Sequence, residues 1–178
     1  MDEADHIALI RERVRAIPDF PKPGILFRDI TTVLADAGAW QITIDRLADA
    51  VGSWQPDVVV GIESRGFILG AALAYRLGLG FVPVRKPGKL PHAVHAREYE
   101  LEYGSDTLEI HTDAIGPGHR AAVLDDLLAP GGTARAATEL VHACGGTVAG
   151  VAVLIELLDL RGRDRLPAGI PVAALLAY

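Results

Sequence analysis

Apolar and polar positions alternate along this chain with periods that change from segment to segment, and the changes mark its elements. In residues 5–16, DHIALIRERVRA, Ile7, Ile10 and Val14 fall at helical spacing. Pro18, Pro21, Pro23 and Gly24 then interrupt any regular period, so the stretch to Ile30 reads as an ordered irregular segment. Residues 39–53 are again helical in period. DVVVGI, residues 57–62, is a short unbroken apolar run, the pattern of a strand covered on both faces. A helix is predicted over 66–77, stopped by Gly78, and a strand over 80–84. Residues 97–111 alternate about Gly104-Ser105, which predicts a hairpin. A third buried strand is expected near 120–125, a helix over about 133–143, and strands over 147–155 and 171–175. Strands alternating with helices imply an α/β fold, with a parallel sheet flanked by helices in one domain, 1–178. An N-terminal extension over about 1–34 and a loop-and-hairpin insertion over about 85–111 are added to it.

Composition narrows the function classes. Half of the 178 residues are apolar and 22% are charged, as in an ordinary globular domain. The net charge of −6 argues against bulk binding to nucleic acid or an anionic membrane. A single cysteine, Cys144, allows no internal disulfide and suits a reducing, cytoplasmic setting. The start, MDEADHIALI, lacks the basic and apolar regions of a secretory signal, and no apolar run reaches the length of a membrane span. His92, His95 and His111 match no tight zinc spacing.

The chemistry-bearing stretches sit where strands meet helices. In VLDDLLAPGGTA, residues 123–134, a buried run ends in Asp125 and Asp126, and a glycine-rich loop opens a helix. Such a loop lets backbone N–H groups approach an anion, and carboxylates accept hydrogen bonds from hydroxyls. A ligand with a phosphate at one end and hydroxyls at the other fits this order; a plain strand-to-helix turn is the alternative. GIESRGF, residues 61–67, has the glycine spacing of a nucleotide P-loop, but Phe67 and Ile68 stand where Lys and Ser/Thr are required. Arg65 there could grip an anion, and Arg85, Lys86 and Lys89 follow the next strand.

VLDDLLAPGGTA resembles the phosphoribosyl pyrophosphate (PRPP) motif of type I phosphoribosyltransferases. FPKPGILFRDIT, GIESRGF, RKPGKLP, EYELEYG and GRDRL occur in the order found in adenine phosphoribosyltransferases, so the resemblance runs from about residue 10 to the end. It implies the type I phosphoribosyltransferase fold and transfer of the 5-phosphoribosyl group from PRPP to adenine, giving AMP and pyrophosphate with Mg²⁺. The metal would be held mainly by pyrophosphate and water. The resemblance further implies that Asp125 and Asp126 bind the ribose hydroxyls, and that Ala129, Pro130, Gly131, Gly132 and Thr133 form the 5′-phosphate loop. Glu63, Ser64, Arg65, Lys86 and Lys89 would serve pyrophosphate, with a cis bond expected between Glu63 and Ser64. Leu26, Phe27 and Arg28, in a hood, and Leu157 would enclose adenine. Glu98 and Tyr99 match the acid and aromatic of a mobile catalytic loop, Glu98 as acid/base and Arg65 as a third catalytic group. A homodimer is implied too.

Oxopurine relatives carry an aspartate where this chain has Ala129, which favours adenine. Pro130 in place of the usual threonine and Pro87 in place of a basic residue depart from the adenine pattern. The alternatives are a non-catalytic PRPP or purine sensor and an enzyme for another base such as xanthine. A sensor that regulates transcription needs a nucleic-acid surface, for which this acidic chain offers no added domain.

Overall fold

Val58–Ile62 (β3) is buried at all positions, which a strand achieves only inside a sheet covered on both faces. In the computed structural model, which describes residues 3–100 and 104–178, β3 is the second strand of a five-stranded parallel sheet. The order is β4 (Gly80–Val84), β3, β7 (Arg120–Leu128), β8 (Thr147–Glu156) and β9 (Val172–Ala177). The chain divides into two compact units, residues 1–46 and 47–178, and the sheet lies wholly in the second. Helix α4 (Arg65–Leu77) joins β3 to β4, and α5 (Gly132–Ala143) joins β7 to β8. Gly78 closes α4 in the left-handed conformation, where its N–H and that of Leu79 cap the carbonyls of Tyr75 and Ala74. The alternation read from sequence gives the observed α/β class.

Strand β3 has β4 on one side and β7 on the other, so the sheet reverses its winding between β3 and β7. In parallel sheets of this kind, ligands bind beyond the strand ends at such a reversal. The register sharpens the point. Pairing of β3 with β7 ends at Gly61–Leu124, while β7 continues to Leu128 against β8. Beyond Leu124, one edge of β7 therefore lacks its β3 partner, the place where the rule for such sheets sets the ligand crevice. The strand expected near 120–125 is longer than predicted, because β8 goes on pairing with it after β3 has ended.

In the same unit, β5 (Val94–Glu100) and β6 (Ser105–His111) form the expected antiparallel hairpin. Residues 101–103 lie outside the described residues. The other unit holds α1 (Glu3–Arg13), β1 (Arg15–Pro18), β2 (Leu26–Asp29), α2 (Thr31–Ala35) and the start of α3 (Ala37–Gly52). The helix predicted to Ala16 stops at Arg13, because Arg15–Pro18 pairs antiparallel with Leu26–Asp29. Arg15 donates to Asp29 through two nitrogens, and Thr31 adds its N–H and hydroxyl. These bonds, the Arg15 one foremost, hold the Asp29 carboxyl at about 2. No helix among the described residues is long and apolar enough to cross a membrane.

Candidate active site

The crevice beyond Leu124 is where the two acids stand. Adjacent strand residues face opposite sides, so Asp125 and Asp126 diverge. Asp126 is only 6% exposed, and Arg65 Nε donates to its Oδ2 at 2.5 Å. This contact joins the start of α4 to β7 and brings together residues that the sequence reading had assigned to pyrophosphate and to ribose. The helix can come this close because residue 66 is glycine. A Cβ there would stand 2.8 Å from the Leu124 carbonyl oxygen and 3.0 Å from Asp125 Oδ1. Asp125 accepts the N–H of Asp126 at 2.8 Å. Its pKa is nevertheless raised well above the ordinary 3.8, by burial first and by the neighbouring Asp126 charge second.

The loop after β7 turns sharply. Gly131 sits at φ 87°, and its carbonyl accepts the Arg135 N–H as α5 begins. A Cβ on Gly131 would stand 2.3 Å from the Gly162 carbonyl oxygen, and one on Gly162 would stand 2.3 Å from that of Ala129. The loop is thus buttressed by the turn of GRDRL, a motif to which sequence reading had given no task. Arg163 of that motif donates to both oxygens of Glu156, at 2.7 and 2.6 Å, and so satisfies a carboxylate buried at the end of β8. Leu157 follows, and its N–H reaches the Leu128 carbonyl at 2.9 Å. Ala129, Pro130, Gly132 and Thr133 are all partly exposed around the start of α5. A cavity of about 710 Å³ between the hairpin and α5 touches this loop at Gly132, but neither aspartate lines it, so it is not the crevice itself.

The Glu63–Ser64 bond is cis, as the resemblance implied. Glu63 accepts the Lys86 N–H at 3.0 Å, Arg85 Nε at 3.3 Å and the Lys89 ammonium. Burial raises its pKa, but the bonds from Lys89, Lys86 and Arg85 outweigh that and bring it to about 2. An ionised carboxylate repels a diphosphate. Glu63 thus gathers the cations of the loop that follows β4. The Lys86 side chain turns elsewhere, to Asp106 and to Tyr99 at 3.0 Å.

Glu98 and Tyr99 are not in a loop. They lie in β5, paired with Thr107 and Asp106. Tyr99 is buried on the face that meets Lys86, while Glu98 is exposed on the opposite face and accepts the Ser105 hydroxyl. Both residues border the cavity between the hairpin and α5, but as adjacent strand positions their side chains point to opposite faces. The sequence repeats the dipeptide at Glu102–Tyr103, outside the described residues. In the N-terminal unit, Leu26, Phe27 and Arg28 lie on β2, with Leu26 48% exposed and Phe27 edge-on to Phe20 at 5.1 Å. The sequence assigns no role to Asp106, and to Gly162 only membership of the GRDRL motif. The first looks like any strand acid, and the second shows only once the fold brings the Ala129 carbonyl against it.

Residues 32–168 match the family described as phosphoribosyl transferase domain. An adenine phosphoribosyltransferase of Synechococcus sp. is 61% identical over 169 residues, covering 95% of this chain and 98% of the relative. The crystal structure of adenine phosphoribosyltransferase from Thermoanaerobacter pseudethanolicus superposes with a TM-score of 0.94 at 50% identity, covering 97% of this chain and 99% of that one. The Saccharomyces cerevisiae enzyme, solved with adenine and an imino-altritol bisphosphate, gives 0.91 at 40% identity over 97% and 99%.

The charge on Asp125 yields a prediction. Its folded pKa is raised, so its ionisation opposes folding. The deficit is absent below the usual carboxylate range, grows as pH rises from that range toward the folded value, and is complete above it. Asp125→Asn should therefore be more stable than the parent in urea at pH 7, with a smaller gain at pH 4. Because hydrogen bonds to charged groups contribute about 1.5–3 kcal/mol, the same change should lower kcat/KM for the phosphoribosyl donor roughly tenfold or more. Equal stability at both pH values would contradict the assigned electrostatics.

Proposed function

This chain belongs to the adenine phosphoribosyltransferases, and from that premise we propose how its residues transfer the 5-phosphoribosyl group from PRPP to adenine, yielding AMP and pyrophosphate in purine salvage. The observation that carries the reading is the Arg65–Asp126 contact in the crevice beyond β3. It sets the first cation of the diphosphate side against the acid of the ribose side.

In this reading Asp125 and Asp126 accept the ribose hydroxyls, and Ala129, Pro130, Gly131, Gly132 and Thr133 cradle the 5′-phosphate at the start of α5. Pro130 supplies no N–H, so the donors come from the residues after it. Ser64 and Arg65, with Lys86 and Lys89, face the pyrophosphate, while Glu63 holds Arg85, the Lys86 backbone and Lys89 in a strip. As the bond at C1′ breaks, the ribose gains oxocarbenium character and negative charge moves onto pyrophosphate, which these cations stabilise. Leu26, Phe27, Arg28 and Leu157 are proposed for the base.

Among the described residues no three His, Cys, Asp or Glu side chains cluster as a metal cage. A site whose charged groups facing the diphosphate are Arg65, Lys86 and Lys89 fits Mg²⁺ arriving on the diphosphate oxygens and water. That ion would add charge neutralisation to the leaving group.

A homodimer is supported by one face of α4. Ile68, Ala71, Ala72 and Tyr75 make a stripe at helical spacing, with Ile68 46% and Tyr75 89% exposed. A cytoplasmic setting is supported by the lone Cys144. Sedimentation should give a dimer for the parent and a monomer for Ile68→Glu; a monomeric parent would remove the proposal.

The assay that tests the function measures AMP from adenine, PRPP and Mg²⁺ beside hypoxanthine, guanine and xanthine. AMP should form at a far higher kcat/KM than any oxopurine product, since Ala129 leaves no acid at the motif position those bases require. Equal turnover of hypoxanthine would overturn the base assignment. Binding of PRPP without turnover would leave a sensor.

Proton transfer is decided by comparing two glutamates. General acid–base groups contribute about 10²–10⁴-fold. Because Glu98 faces away from Lys86, we expect Glu98→Gln to lower kcat less than about tenfold and Glu102→Gln to show the full effect. The reverse result would restore Glu98.

A further inference from the structure

Among the described residues, Lys86 is the one member of the 85–89 strip whose side chain is held by the hairpin. An ammonium has three N–H donors. One goes to Asp106 and one to the Tyr99 hydroxyl at 3.0 Å, which leaves the third. Tyr99 in turn donates to Asp106 Oδ2 at 3.3 Å, and its ring centroid lies 5.5 Å from Nζ. Asp106 is itself fixed by the Thr107 N–H at 2.7 Å. The register sets Tyr99 directly opposite Asp106, so the pairing of β5 with β6 determines where both partners of Lys86 stand.

We propose that Asp106, acting with Tyr99, is a positioning residue for Lys86: it holds the ammonium so that its remaining N–H is presented to the pyrophosphate end of PRPP. This rests on the reading of Lys86 as a pyrophosphate ligand. A stabilising salt bridge is the plainer account, but the side chains are 35% and 31% exposed, and ion pairs so placed contribute little to stability. A lysine has a long, flexible stem. Holding its head before the ligand arrives removes the ordering cost from binding. The arrangement also gives Tyr99, which sequence reading placed among the catalytic groups, a defined task that does not require it to touch the substrate.

The test is a double-mutant cycle read in steady-state kinetics on the full chain. Asp106→Asn keeps size and removes charge. It should raise KM for PRPP about five- to tenfold, leave KM for adenine within about twofold, and change kcat little, since it disturbs preorganisation of one ligand only. Tyr99→Phe should raise KM for PRPP by roughly half as much on a logarithmic scale, since one of two restraints is lost. Lys86→Gln should raise it further than either, and Asp106→Asn added to Lys86→Gln should add nothing. Additive effects of the two changes would overturn the proposal, as would a lowered KM in Asp106→Asn, which would make Asp106 a competitor for the cation. A parallel rise in both KM values with a lowered melting temperature would assign a merely structural role and overturn it too. An unchanged KM in Lys86→Gln would show that the pyrophosphate reading itself had failed, and the proposal with it. The Lys86 single variant thus separates the two failures.

Discussion

Consecutive carboxylates on a central strand must be reconciled with a low-dielectric surrounding, and that requirement organises the second unit. Strand β7 runs beyond the end of its pairing with β3 and carries Asp125 and Asp126 into the gap. Alternation sends the two charges to opposite sides, which lessens their repulsion without removing it. Arg65 answers Asp126, and Arg65 can do so only because Gly66 lets the first turn of α4 lie against the β7 backbone. The place where α4 begins against β7 follows from this one accommodation. Burial and the neighbouring Asp126 charge make ionisation of Asp125 costly, and a ribose diol is the kind of partner that would relieve that cost.

The cations beyond β4 present the opposite problem in an acidic protein. Arg85, Lys86 and Lys89 would repel one another and swing freely on long stems. Two carboxylates divide them: Glu63 takes Arg85 and Lys89, and Asp106 takes Lys86. One carboxylate comes from the loop after β3 and the other from the hairpin, so the strip is suspended between two elements. Local positive potential is thereby built within a chain of net charge −6.

Much of this was open to reading from the sequence because continuous apolar runs and turn residues carry unambiguous local signals. Strands β3, β4 and β8, helices α4 and α5 and the hairpin about Gly104 all lie within a residue or a few of their predicted places. The acids and the glycine loop were legible because charges rarely follow a buried run. What escaped depends on partners distant in sequence. The β1–β2 pair is made of two short strands, one of them ending in Pro18, and neither shows alternation long enough to count. The split of Glu98 from Tyr99 is implicit in the predicted hairpin, but their partners Thr107 and Asp106 needed the strand register. Asp106 and Gly162 gained meaning only through what the fold set beside them.

The contact between the phosphate loop and the GRDRL turn bears on how such a sequence can change. Gly131 and Gly162 each occupy space that the other segment's carbonyl requires, so neither tolerates a methyl group whatever stands at the other. Most packed pairs can drift together, a larger residue on one side matched by a smaller one on the other. Here both sides are already at the minimum, and no reciprocal exchange exists. The coupling is therefore silent in any search for correlated substitutions. Two segments that depend on one another for their shape would look, position by position, like two unrelated glycines.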